Sequence, residues 1–173
     1  MVHRPFAFYE GAPMRRKDRE ITDQQQILSL LDKTRFLHLG LFDGDYPYIV
    51  PLHYGYTWDE AARQLTFYMH CAKEGHKLEL IAANPHAFVE LENDVELVSG
   101  GDVACRYGSY YTSLMARGMA HILPPGKEKE QALEILMKHQ TGRDFVITSA
   151  MAESVAVIKF TAQDFTAKAR VKK

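Results

Sequence analysis

The chain has 173 residues, 46% of them apolar and 25% charged, with a formal net charge of −1. This length suits one domain, and about 70% of the unfolded chain's surface would be buried, enough for a core without staples. The near-zero charge excludes a chain-wide basic field for nucleic acid. No apolar run approaches the roughly 18 residues of a spanning helix. The start, Met1-Val2-His3-Arg4-Pro5-Phe6, lacks an apolar signal core, so a cytoplasmic address is expected. Cys71 and Cys105 sit in no CxxC pattern and read as thiols of a reducing compartment.

Residues 1–20 are expected to form an irregular arm ending in the charge cluster Arg15-Arg16-Lys17-Asp18-Arg19-Glu20, with 21–173 a single domain. Thr22 and Gln25 have capping-box spacing, so a helix is predicted from Thr22, and Ile27, Leu28, Leu30 and Leu31 form its core stripe. A strand over 36–42 follows, then the hairpin signal Asp43-Gly44-Asp45, a second strand over 46–56, a connection at 59–62 and a third strand over 64–70. Residues 73–83 read as a short helix with Leu78, Ile81 and Ala82 on one face, stopped by Asn84-Pro85. A fourth strand over 86–92, a loop over 93–104 and a long strand over 107–122 come next, with Gly108 and Gly118 as bulge positions. Pro124-Pro125-Gly126 introduces a helix over 127–140, with Leu133, Leu136 and Met137 inward and Gly142 as its stop. The last strand is predicted over 154–161, followed by a basic tail from Ala167. Six strands, short helices and no βαβ alternation define a mainly β protein, a small antiparallel barrel.

Several chemistries are excluded by missing motifs. The chain has no GxGxxG, Walker A, HExxH or GxSxG. Its eight histidines include His70 and His76 beside Cys71, but no ligand spacing repeats, so no metal site is expected.

Three clusters carry chemical meaning. In Tyr68-Met69-His70-Cys71-Ala72-Lys73-Glu74-Gly75-His76-Lys77 a strand runs into a helix start. The first N–H groups of a helix lack partners and favour anions, and Gly75 permits close approach to the backbone. Lys73, His76 and Lys77 add cations at the end of a helix whose dipole opposes them, which an anionic ligand or Glu74 would resolve. In Pro47-Tyr48-Ile49-Val50-Pro51-Leu52-His53-Tyr54 two prolines place the strand at an edge, either to expose backbone to a ligand or to block aggregation. In Tyr107 to Ala120, the alternate hydroxyls of Ser109, Tyr111 and Ser113 share one face, followed by Arg117.

These residues resemble a known family, the FMN-binding split barrels related to pyridoxamine 5′-phosphate oxidase, with particular likeness to the nitroimidazole-resistance flavoproteins. The matching pieces are Met14 to Ile21; Pro47-Tyr48-x-Val50-Pro51-Leu52; Phe67 to Ala72 with Glu74, Gly75 and Lys77; Asn84-Pro85; and Tyr110-x-x-Ser113 with Arg117-Gly118-x-Ala120. The resemblance implies a six-stranded antiparallel split β-barrel that forms a homodimer with FMN at the interface. It implies that Pro51, Leu52, His53 and Tyr54 offer backbone to the flavin ring. His70, Cys71 and Ala72 would line ring and ribityl chain, Gly75 and Lys77 would hold the phosphate, and Ser113 and Arg117 would approach from the long strand. His70 would be the proton-supplying catalytic residue. The implied activity is an FMN-dependent oxidoreductase that reduces a small, electron-poor, nitroaromatic-like substrate. The Arg- and Trp-containing C-terminal motif of true pyridoxamine phosphate oxidases is absent, Trp58 being the single tryptophan. The alternative reading is a non-catalytic flavin- or haem-binding barrel, with His53, His70 and His86 as haem-competent side chains. A third is an interaction domain without a cofactor.

Overall fold

A computed structural model describes residues 14–172; most of the expected N-terminal arm, residues 1–13, lies outside them. The described part of the arm makes one 3-10 turn, Lys17–Arg19, and bridges to the body through Glu20 and Lys168. The body contains α1 (Gln24–Lys33), β1 (Phe36–Asp43), β2 (Tyr46–Asp59), β3 (Gln64–Cys71), α2 (His76–Ala83), β4 (His86–Val98), β5 (Gly108–Ile122), α3 (Lys127–Thr141), α4 (Ser149–Glu153) and β6 (Ala156–Arg170). The six strands close into an antiparallel barrel in the order β1-β2-β3-β6-β5-β4.

The barrel follows from period-two patterning. Leu37, Leu39 and Leu41 of β1, Phe67 and Met69 of β3, and Leu114 and Ala116 of β5 point inward and are fully or almost fully buried. Each fully buried leucine contributes about 1.5–3 kcal/mol. Ile27, Leu30 and Leu31 bring α1 against the same core, while Leu78 and Ile81 seat α2 on it. Ala82, expected on that face, is exposed. The outer face of β3 and β6 is covered by α3 and α4, where Leu123, Ala132, Leu133, Ala152 and Val157 form a second cluster.

Several boundaries differ from the sequence expectation. The α1 cap is Asp23, whose Oδ1 accepts from Gln26 N–H at 2.9 Å, one residue later than the Thr22 box. The helix predicted from Lys73 begins at His76, because Gly75 takes φ +143° and breaks the turn before it. The loop expected over 93–104 is strand as far as Val98, with a register shift between Asn93 and Glu96 that accommodates Asp94 at φ +55°. Of the two expected bulge glycines, Gly118 lies at a shift and Gly108 does not. The basic tail is the end of β6, whose alternating Ala167 and Ala169 face the core. α4 has no counterpart among the predicted elements.

The feature that shapes the site is the change of partner along β2. Residues Tyr46 to His53 pair with β1, and Tyr54 to Asp59 pair with β3. The two strands therefore part at Tyr54 and Met69. This leaves one edge of 46–53 unpaired among the described residues and opens a cleft against the end of β3. Pro47 and Pro51 sit in that half-free segment, where a missing N–H does least harm. Gly55, just past the handover, lies under α3: a Cβ there would stand 2.5 Å from Leu136 Cα.

Candidate functional site

The cleft is walled by β2 residues 46–53 on one side and by the end of β3, the turn at 72–75 and the start of α2 on the other. It brings together most of the expected residues. Pro51 and His53 are exposed on the β2 wall with Leu52 half-buried between them, while His70 and Cys71 are half-buried on the opposite wall. Burial and, to a lesser extent, the nearby His53 lower the His70 pKa. His70 is thus neutral near neutral pH, and its Nδ1 is buried with no hydrogen-bond partner. Burial raises the Cys71 thiol and the nearby Lys77 ammonium pulls it back down, so Cys71 is a neutral thiol in the wall.

At the mouth, Ala72 and Gly75 are exposed and Lys77 is half-buried. The Lys77 ammonium folds back over the turn, 3.8 Å from where a Gly75 Cβ would stand. Leu78 N–H is taken by the Gly75 carbonyl at 2.9 Å. The N–H groups before it, of Gly75, His76 and Lys77, have no intrahelical acceptor. The expected three cations reduce to two. His76 bridges Asp43 (2.9 Å) and Glu79 (3.2 Å), contacts that raise its pKa and neutralise its charge. Lys77 forms no ion pair among the described residues. Its uncompensated charge sits where the α2 dipole already favours an anion.

The remaining expected residues lie elsewhere. Tyr54 is fully buried, its hydroxyl donating to the Leu31 carbonyl at 2.8 Å. Its backbone carbonyl is taken by Gln140 Nε2 at 2.7 Å, so Tyr54 anchors the wall and does not face the cleft. Ser113 and Arg117 project from the outer face of β5, which is separated from β3 by β6. Arg117 Nε donates to Asp164 Oδ2 at 2.6 Å and borders a groove of about 1200 Å³. That groove lies over β1, β4 and the β1–β2 hairpin, and Arg117 is the one expected residue that lines it. His86 is on this flank too, bonded to Asn84, so the three haem-competent histidines do not converge.

Sequence reading misses Gln140. From the end of α3 its Nε2 donates to two carbonyls, Tyr54 (2.7 Å) and Arg35 (3.1 Å). With both amide hydrogens used, its Oε1 accepts from His53 Nδ1 at 2.9 Å. This fixes the His53 tautomer, with Nε2 as the free acceptor. No signal near His53 in sequence points to a partner 87 residues away. His139 braces the same region, stacked on Tyr54 at 4.7 Å with Nε2 donating to the Thr34 carbonyl at 3.1 Å.

The outer face of β1 and β4 holds another unforeseen group. His38 Nδ1 lies 3.2 Å from Glu90 Oε2 and 3.9 Å from Glu92 Oε2. Burial and the neighbouring Glu92 carboxylate push Glu90 up to about 7.

A closed six-stranded antiparallel barrel with a parted strand pair and a cation-bearing helix start is the architecture of a split barrel. The chain belongs to the pyridoxamine 5′-phosphate oxidase family, whose profile it matches over residues 23–169. Among solved structures it is similar to a candidate 5-nitroimidazole antibiotic resistance protein from Bacteroides thetaiotaomicron, with 29% identity and TM-score 0.72 over 87% of this chain and 86% of that one. The flavocytochrome Anf3 of Azotobacter vinelandii shares the fold at 18% identity and TM-score 0.77, covering 97% of this chain and 77% of that one. An FAD- and haem-binding protein of Mycobacterium smegmatis does so at 15% identity and TM-score 0.74, covering 89% and 74%. A comparison with curated proteins gives no match. No helix of the described residues is long and apolar enough to cross a membrane.

Proposed function

We propose that the chain binds FMN in the β2–β3 cleft and, as a homodimer, reduces small electron-poor compounds of the nitroaromatic class. The observation that carries this reading is Lys77: an ammonium with no acidic partner among the described residues, folded over Gly75 beside the first N–H groups of α2. That combination suits a terminal phosphate. The orphaned Nδ1 of His70 and the free Nε2 of His53 offer polar contacts along the cleft. The family match and the likeness at 29% identity to the Bacteroides protein support both the cofactor and the substrate class.

The flavin would supply the electron storage, and the chain's residues bind and tune it. Lys77 and the first N–H groups of α2 would hold the phosphate. The unpaired edge of Pro51 to His53 would offer backbone to the ring, with His70, Cys71 and Ala72 opposite. His70, neutral near pH 7, is not charged as the expected proton supplier would be, and would instead offer a ring nitrogen for a hydrogen bond to the bound group. A second copy would close the cleft. Ser113 and Arg117 lie outside one chain's cleft, and the face they share, which no helix of the described residues covers, carries exposed Phe36, Phe42, Ile49 and Met115. In the test, FMN-loaded protein is photoreduced without oxygen, with EDTA as the electron donor, and mixed with a nitroaromatic. Recovery of the oxidised flavin band near roughly 450 nm, with consumption of the nitro compound, is expected. A loaded protein that stays reduced would leave a binding role alone.

A further inference from the structure

We propose that His38, Glu90 and Glu92 form a binding site for one divalent transition-metal ion per chain, independent of the flavin reading. The three side chains stand on two neighbouring strands. His38 is directly opposite Glu90 in the β1–β4 ladder, and Glu92 is two residues further along, so all three leave the barrel on the same face. One ligand atom from each lies within 4.8 Å of the other two. An ion about 2.0–2.2 Å from each ligand needs them roughly 3–3.6 Å apart. The His38 Nδ1 to Glu90 distance of 3.2 Å already meets this, and 3.9 Å to Glu92 needs only a small side-chain rotation.

Charge points the same way. Among the described residues no lysine or arginine pairs with either glutamate; both ion pairs run to His38. A single imidazole supplies at most one positive charge against two carboxylates. A divalent ion bound by neutral His38 and two ionised glutamates gives a site of zero net charge. That matters on a face that also carries Phe36, Phe88 and Met115, where an unbalanced anion is costly to cover and where the nearby Arg117 guanidinium is engaged by Asp164. The N/O/O ligand set suits zinc, manganese or ferrous iron, and three protein ligands leave coordination positions open. Two of the three ligands, His38 and Glu90, line the groove of about 1200 Å³. The donors come from positions 52 residues apart, which explains why no ligand spacing shows in the sequence.

The experiment is calorimetric titration of the chelator-treated, full-length protein with zinc and, separately, manganese chloride. One ion per chain is expected. Affinity should fall at least tenfold in His38→Ala and in the near-isosteric Glu90→Gln, while His86→Ala, on the same flank and outside the triad, should bind as the parent does. Circular dichroism checks that each variant is folded, and Glu92→Gln serves if Glu90→Gln is not. Absence of binding, or binding that His38→Ala and Glu90→Gln leave unchanged, would overturn the assignment. So would a dimer weakened by Glu90→Gln with no ion bound, because a cationic side chain of the second copy would then be the partner.

Discussion

Replacing Lys77 with alanine removes an ammonium that forms no ion pair among the described residues. Its charge opposes the α2 dipole. The unliganded variant should therefore be as stable as the parent, or more stable by about 0.3–1 kcal/mol. A charge-assisted hydrogen bond to phosphate contributes about 1.5–3 kcal/mol, so FMN affinity should fall by about 10- to 150-fold. Riboflavin has no phosphate, and its affinity should not change. His76→Ala is the internal control. Asp43 and Glu79 already neutralise that imidazole, so the expected FMN loss is below about threefold. Fluorescence titration of both ligands against the three proteins completes the cycle. Equal losses for FMN and riboflavin, or no loss for either, would refute the placement of the phosphate.

Other expectations concern the frame around the cleft. Gly55→Ala would drive a methyl group into the α3 backbone at Leu136, at 2.5 Å from Cα and 2.6 Å from N. A loss of about 1–3 kcal/mol is expected in urea unfolding, and an unchanged midpoint would show that α3 shifts freely. Tyr54→Phe should cost about 1–2 kcal/mol by removing the buried bond to Leu31, read in the same assay. His70 and His139 both have pKa values lowered by burial. The unfolded chain then binds more protons below the ordinary histidine value of about 6.5. Their contribution to stability is complete above that value and is lost as pH falls through the lower folded values. His70→Gln should flatten the decline below pH about 6.5, and an unchanged slope would remove His70 as a contributor.

Local signals in the sequence were enough for the meander β1–β2–β3, for α3 with its Gly142 stop, and for the junction at Gly75 and Lys77, because each depends on neighbours in the chain. The basic residues after Ala167 obscured a strand whose alternation of alanine with Lys168 and Arg170 has the period of two that β6 needs. Asn93 and Asp94 suggested a loop, yet one left-handed residue at Asp94 merely shifts the register and β4 continues to Val98. Tyr54 belongs to a stretch expected to face a ligand, but the handover from β1 to β3 turns it into the core. The bond from Gln140 to His53 and the grouping of His38 with Glu90 depend on strand and helix packing across 87 and 52 residues. No local pattern encodes either.

Native mass spectrometry of the protein after incubation with excess FMN tests the central claim most directly. The expected species is a dimer carrying two FMN, replaced by flavin-poor dimer in Lys77→Ala. A chain that stays free of flavin at saturating FMN would contradict it.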